Sequence, residues 1–397
     1  MKDGAVQVVR LTPEGRGAVA VLLVEGPAAA ERIDRHFFGQ TAARLASRPL
    51  NRILHGHWGE TDGEDVVICR LSDTAVEVQC HGGRLAVDRI ASDLLEAGCE
   101  SASWCKWLTA QEPSTIRAEA RLLLAQARTE RTAAILLDQY SGALEAALAR
   151  IIHAIEAGRA DEARAELQTL LARSAAGLHL VEPWRVVLAG PPNVGKSSLI
   201  NALVGYRRSI VYDQPGTTRD VVTVTTAIDG WPIELFDTAG LRVSDDPLES
   251  AGVELARRQL DAADCVVLVG DATNTRLQPA VGVQALACTR QPEGCSPTGV
   301  SGAIIEVYNK CDLLPLDVEA NRLLSDRSLP LLTSAVTGEG IPELAAAIVR
   351  RLVGIAPQPG DAVPFANSQI ERFQHAIDAV DHGDLPRVRT LLEPLLR

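Results

Sequence analysis

Residues 190–197 read GPPNVGKS, a glycine-rich string with the spacing G-x-x-x-x-G-K-S. Glycines at those positions let successive backbone N–H groups turn toward a chain of phosphates. Within the string, Lys196 adds a point charge for the β and γ phosphates and Ser197 offers a hydroxyl to Mg²⁺, while Val194, Gly195 and Ser198 complete the cradle. This loop implies a nucleotide without saying which one. Three later strings decide. Residues 237–240 read DTAG: Asp237 is placed to hold Mg²⁺ through water, and the Gly240 N–H, after Thr238 and Ala239, can touch the γ phosphate. Residues 309–312 read NKCD, so that Asn309 and Lys310 precede Asp312. A carboxylate at Asp312 accepts both the N1–H and the 2-amino group of guanine. Adenine has neither, and would leave that carboxylate unpaired. Residues 333–335 read TSA, where a backbone N–H beside Ser334 and Ala335 can meet guanine O6. The four strings together imply GTP.

Between the first two strings lies IVYDQPGTTRD, residues 210–220. Gly216 with the tandem Thr217 and Thr218 suits a loop that orders when Thr218 ligates Mg²⁺ and its backbone senses the γ phosphate. Leu241 follows DTAG, where a Ras-like GTPase carries a water-orienting Gln. The attacking water must then be placed by another group.

The elements that must position these strings can be read from hydrophobic pattern. Strands are expected at 185–190, 221–228, 233–237, 265–271, 303–309 and 329–335, alternating with helix-like segments. Alternating β and α over this length implies a mostly parallel sheet covered by helices, with each string at a strand end on one edge. A stretch at 273–302, dense in Gly, Pro, Gln and Thr, exceeds an ordinary connection and reads as a surface excursion. Upstream, strands at 4–10, 17–25, 66–71 and 75–80 with a helix at 84–96 form a small α+β unit. Residues 114–176, rich in Ala, Leu, Arg and Glu, read as two or three long helices begun by a Ser114 cap. After a linker beyond Ala356, two short helices close the chain over 366–397. The fold class expected is α/β and all-α multidomain. Its parts are an α+β domain over 1–108, a discontinuous helical domain over 112–182 and 360–397, and an inserted P-loop domain over 183–356.

Bulk composition narrows the classes further. The chain has 397 residues and a formal net charge of −12. An acidic balance argues against a surface that coats nucleic acid, though a local basic patch stays open. Hydrophobic residues at 46% support a packed core, and with aromatics at 4% that core must be built from Ala, Val and Leu. No apolar run reaches the roughly 20 residues of a membrane helix, and the first residues lack the pattern of a secretory signal. Eight cysteines without a C-x-x-C read as reduced thiols, which implies a cytoplasmic chain without zinc. His55 and His57 flank Gly56 but lack further ligands at metal spacing. Arg117, Arg121, Arg128 and Arg131 fall at helical spacing, as either an RNA-facing stripe or a solvated face with Glu partners.

Asn193 inside the P-loop, the PGTTRD loop, DTAGLR and the string DPLESAG at 246–252 together resemble the MnmE/TrmE family of tRNA-modification GTPases. The strings TPEGRG at 12–17 and VEVQCHGG at 76–83 are similar to that family's folate-binding domain. The resemblance implies GTP hydrolysis with Mg²⁺ and K⁺, a homodimer, a partner flavoprotein, reduced folate, and tRNA wobble uridine as substrate. Carried over, Asn193 ligates K⁺ with Tyr212, Gln214 and Thr217 completing the shell, Lys196, Thr218 and Gly240 act on the γ phosphate, and Mg²⁺ falls to Ser197, Thr218 and Asp237. The family's catalytic glutamate lies twelve residues after the DTAG aspartate and lands on Glu249, which could otherwise be a plain helix-start carboxylate. Departures are as specific. Leu23 stands where the family has a folate-binding Arg, Glu77 survives, Lys106 is the only lysine in the stretch SASWCKWLTAQEPST at 101–115 and has no clear register, and the sequence ends LLEPLLR in place of a Cys-x-Gly-Lys tail. Two readings therefore stay open from sequence: a working tRNA-modification GTPase, or a diverged GTPase switch or RNA/ribosome assembly factor without that chemistry.

Overall fold

The computed structural model describes residues 5–15, 17–39, 43–60, 63–206, 209–211, 223–237, 260–273, 303–314 and 331–396. The chain divides into two compact units, Met1–Glu112 and Pro113–Arg397.

The first unit contains β1 (Gln7–Arg10), β2 (Val19–Glu25), α1 (Ala29–Asp34), β3 (Phe37–Gly39), β4 (Ile53–Trp58), β5 (Glu64–Arg70), β6 (Ala75–His81), α2 (Arg84–Glu96), β7 (Glu100–Ala102) and α3 (Trp104–Gln111). Its seven strands form one sheet in the order β3-β4-β5-β6-β2-β1-β7, antiparallel except for the β1–β7 pair. Alternation along the strands turns Leu22, Val24, Val66, Ile68, Val76 and Val78 into a core shared with Ile33, Ile90 and Leu94 of the helices. Trp58 is fully buried there, and its indole N–H donates to Asp93 at 2.8 Å. Helix α2 matches its expected span. The sequence pattern gave no sign of β4, because two histidines and Gly56 interrupt the apolar alternation. Gly56 is needed, since a Cβ there would collide with the Phe37 ring and the Phe38 carbonyl on β3.

The second unit begins with α4 (Thr115–Leu124), α5 (Glu130–Tyr140), α6 (Ala143–Glu156), α7 (Ala160–Ala172) and α8 (Ser174–Leu178). Five helices stand where two or three long ones were expected, and the longest has 14 residues. Single-residue signals make the breaks. Ser114 and Thr129 cap α4 and α5 through their hydroxyls, and Gly142 and Gly158 turn the chain at φ 106° and 71°. An Ala/Leu/Arg/Glu texture hides such breaks because helix propensity stays high on both sides.

There follow β8 (Trp184–Ala189), α9 (Lys196–Val204), β9 (Ser209–Val211), β10 (Thr223–Ile228), β11 (Trp231–Asp237), β12 (Cys265–Asp271), β13 (Ala303–Asn309), β14 (Leu331–Thr333) and α10 (Ile341–Val353). The sheet order is β14-β13-β12-β8-β11-β10-β9, parallel through β11 and antiparallel at β10 and β9. Strands β8, β11 and β12 are buried on both faces, as the near-continuous Val, Leu and Ile runs require of a covered parallel sheet. The expected strands at 265–271 and 303–309 coincide with β12 and β13, those at 185–190 and 233–237 differ by one or two residues at their ends, and residues 221–222 and 329–330 of the other two lie outside the described residues.

The chain then returns to the helices. Residues 357–364, which read as a plain linker, are pinned. The buried Gln139 amide donates to the Asp361 carbonyl and accepts from Val363 N–H, both at 3.0 Å, while Arg173 pairs with Asp361 at 2.8 Å. Helices α11 (Asn367–Asp381) and α12 (Leu385–Leu392) and a 3₁₀ turn at Glu393–Leu396 complete the unit, and Phe373, Val388 and Leu392 join Leu144, Leu148 and Ile151 in one core.

Candidate nucleotide site

Strand β8 runs straight into the glycine-rich loop, and α9 leaves it with Lys196 as its first residue. The loop needs special backbone. Asn193 and Gly195 take φ of 63° and 92°, and a Cβ on Gly195 would strike the Asn309 amide. The Lys196 ammonium is buried and donates to the carbonyls of Gly190 and Pro191, each at 2.9 Å. Burial lowers its pKa below the ordinary lysine value, and the nearby Asp237 carboxylate works in the opposite direction. The Asn193 side chain is exposed on the same loop.

At the end of β11, the buried Asp237 carboxylate accepts a hydrogen bond from the Ser197 hydroxyl. Register explains the meeting: Asp237 pairs with Leu188 on β8, so the two strand ends finish level. A hydroxyl and a carboxylate side by side are hard oxygen donors of the kind Mg²⁺ takes, one or two from protein and the rest from phosphate and water. The site residues present therefore fit that ion.

Asn309, 2% exposed, ends β13 and ties three loops together. Its Nδ2 donates to the Val194 carbonyl of the glycine-rich loop at 2.9 Å. Its Oδ1 accepts from Ala335 N–H at 3.1 Å and from the Thr333 hydroxyl at 3.5 Å. Lys310 follows at φ 71°, and its ammonium is held by Asp271 at 2.6 Å. Asp312 is exposed on a one-turn 3₁₀ segment, Cys311–Leu313. The Ala335 N–H, one of the backbone N–H groups of the 333–335 string, is thus engaged by Asn309. The buried Ser334 hydroxyl is used locally, accepting from Val336 and Thr337 N–H at 3.3 and 3.1 Å.

Sequence reasoning missed Asp271. Although burial pushes its carboxyl up, hydrogen bonds from Lys310 and Thr273 bring it below the ordinary value. In sequence its one signal is that Asp271 ends the CVVLVGD run; its register with Asn309 on the neighbouring strand is set by the fold. Tyr212, Gln214, Gly216, Thr217, Thr218, Thr238, Ala239, Gly240, Leu241 and Glu249 lie outside the described residues, as does 274–302. Among the residues that are described, the structure brings together 190–198, Asp237, Asn309, Lys310, Asp312 and 333–335 at one edge of the sheet.

In the first unit, Glu77 accepts from the Gln79 amide and its cross-strand neighbour is the buried Leu23. Trp107 donates to Glu25 at 2.6 Å, and Lys106 is exposed on α3. His57 and His55 approach Asp65 at 3.0 and 3.6 Å, and among the described residues no group of three or more His, Cys, Asp or Glu can hold a metal ion. No helix among the described residues is long and apolar enough to cross a membrane. The arginines at helical spacing find protein partners: Arg117 pairs with Glu145 at 2.8 Å and Arg131 with Asp229 at 3.3 Å.

Residues 185–292 match a family model described as 50S ribosome-binding GTPase. The tRNA modification GTPase MnmE of Symbiobacterium thermophilum is 32% identical over 381 residues, covering 85% of this chain and 80% of that protein. Its counterpart in Bacillus subtilis is 29% identical over 413 residues, covering 93% of this chain and 87% of that protein. Among solved structures, Era of Aquifex aeolicus bound to GDP.AlF4- is 27% identical and covers 49% of this chain and 66% of that one, with a TM-score of 0.31.

Proposed function

Because the chain belongs to the MnmE family of tRNA modification GTPases, we propose that it binds GTP, hydrolyses it to GDP and phosphate, and couples that cycle to modification of tRNA wobble uridine. One observation carries the nucleotide half of this reading: Asn309 clamps the phosphate loop to the 333–335 loop, with Asp312 beside it. Phosphate and base subsites are thereby held at a set distance, as a nucleoside triphosphate needs. Asp312 reads guanine through N1–H and the 2-amino group.

The chain's own residues then divide the work. The backbone of 190–198 cradles the phosphates, and Lys196, desolvated before the ligand arrives, exchanges two carbonyl partners for phosphate oxygens. Ser197, Thr218 and Asp237 would hold Mg²⁺, which neutralises charge on the β and γ phosphates when bound. Asn193, exposed on the loop with a hard amide oxygen, would hold K⁺ together with Tyr212, Gln214 and Thr217. That ion supplies the positive charge an arginine finger gives elsewhere. Glu249 orients the attacking water in place of the Gln that Leu241 replaces, and the Gly240 N–H follows the γ phosphate.

The same reading divides the chain into an α+β domain over 1–108, a helical domain over 112–182 and 360–397, and a P-loop domain over 183–356. It makes the protein a cytoplasmic homodimer that works with a flavoprotein. Leu23 opposite Glu77 departs from the family's pattern, and on that ground little affinity for reduced folate is expected of the N-terminal sheet. The test is phosphate release from GTP and from ATP by the purified chain in Mg²⁺ and K⁺. GTP is turned over and a tenfold excess of ATP does not compete. Equal turnover of both nucleotides, or of neither, would refute the reading.

A further inference from the structure

Strands β10 and β11 form a hairpin paired from Thr223 with Phe236 to Ile228 with Trp231. Its closed end is the two-residue turn Asp229–Gly230, with φ of 50° and 77°, both in the left-handed region that a tight hairpin turn demands. This turn is gripped by the start of α5. The Thr129 hydroxyl donates to the Gly230 carbonyl at 2.7 Å and also accepts the Thr132 N–H at 3.2 Å, so one atom caps the helix and holds the turn. Arg131 reaches the Asp229 carboxylate at 3.3 Å and lies 5.7 Å from the ring centroid of buried Trp231. Approach is close enough that a Cβ on Gly230 would stand 2.9 Å from the Arg131 Cβ.

The open end of the same hairpin is at the nucleotide site. Strand β11 stops at Asp237, bonded to Ser197, and leads into residues 238–240. Strand β10 starts at Thr223, directly after the 212–222 segment that contains Thr217 and Thr218. One hairpin of about 20 Å therefore joins both segments expected to sense the γ phosphate. Parallel pairing of β11 with β8 prevents slip, because a one-residue shift would turn every side chain to the wrong face. With its far end gripped, the hairpin has a fixed base.

We propose that Thr129 and Arg131, on a helix remote from the phosphate loop, are positioning residues for GTP hydrolysis: by holding the Asp229–Gly230 turn they set where the open end of the hairpin, Thr223 and the Ser197-bonded Asp237, stands. The inference rests on the nucleotide reading above. Arg131 and Asp229 are 39% and 42% exposed, so their pairing adds little to global stability, and its loss should register at the site before it registers in the fold.

The experiment uses the full chain with Arg131→Glu, Asp229→Arg and the double charge swap. It reads kcat, KM, GDP affinity and melting temperature. Amide exchange of residues 129–133 and 195–198 is followed with GDP and with a non-hydrolysable GTP analogue. Each single reversal lowers kcat about two- to fivefold with KM and GDP affinity little changed, and the double swap restores kcat. In wild type, exchange at Thr132 differs between the GDP and GTP-analogue states. Unchanged kcat in the single variants, a loss the double swap fails to restore, or identical Thr132 exchange in both states would overturn the inference. Absence of nucleotide protection at 195–198 in wild type would instead overturn the nucleotide reading, and the inference with it.

Discussion

Replacing Asn309 with Ala should separate the base subsite from the phosphate subsite. The side chain is 2% exposed and makes two close bonds, to the Val194 carbonyl at 2.9 Å and from Ala335 N–H at 3.1 Å. Truncation leaves a carbonyl and an N–H without partners. Val194 is buried, so its carbonyl bears most of a desolvation penalty of about 1–3 kcal/mol, and the half-buried Ala335 N–H recovers part of its loss from water. Together they amount to about 2–4 kcal/mol, shared between fold stability and nucleotide binding. If half appears in binding, GTP affinity falls roughly five- to thirtyfold. If half appears in stability, the melting temperature falls by about 2–8 °C for a unit of this size. The assay is titration of a fluorescent GTP analogue, with a thermal melt of the same sample without nucleotide. A loss of stability alone, with affinity within about twofold of wild type, would refute the argument that Asn309 spaces the two subsites.

Asp312→Asn should weaken GTP by about tenfold to a hundredfold and admit xanthosine triphosphate, whose C2 oxygen suits an amide donor; competition binding measures both, and unchanged GTP affinity would remove Asp312 from the base site. Hydrolysis should require K⁺, with Na⁺ a poor substitute at matched ionic strength, and equal phosphate release in the two salts would leave Asn193 without its assigned role and turn attention to Arg219 and Arg242. Lys196 has a lowered pKa in the free protein because it is buried, so its charge is complete below that value and lost as pH rises through it. GTP affinity should therefore decline on the alkaline side before an ordinary lysine, at 10.5, would deprotonate; a flat profile up to that value contradicts the assignment. Calorimetric titration with 5-formyltetrahydrofolate should give no saturable binding at micromolar concentration, because buried Leu23 faces Glu77 across the ladder, and saturation there would show that Lys106 or Arg16 supplies the missing cation.

The sequence by itself determined the chemistry of the nucleotide site and the elements that bear it. GPPNVGKS, NKCD and TSA each need particular atoms at particular spacings, and the buried parallel strands β8 and β12 announce themselves as runs of Val and Leu. Local patterns of that kind depend on neighbours along the chain, so they survive in one dimension. Helix breaks did not, because a single capping hydroxyl or a left-handed glycine is enough to divide a long run of good helix formers. The partners of Asn309, the hold of Asp271 on Lys310, Gln139 clamping the return segment and Thr129 gripping the Gly230 turn were decided only by tertiary structure. Each joins residues dozens to hundreds of positions apart, and an Asn, Asp, Gln or Thr carries the same donors and acceptors whether it meets a ligand, a carbonyl or water. Strand register and helix packing determine which of these it meets.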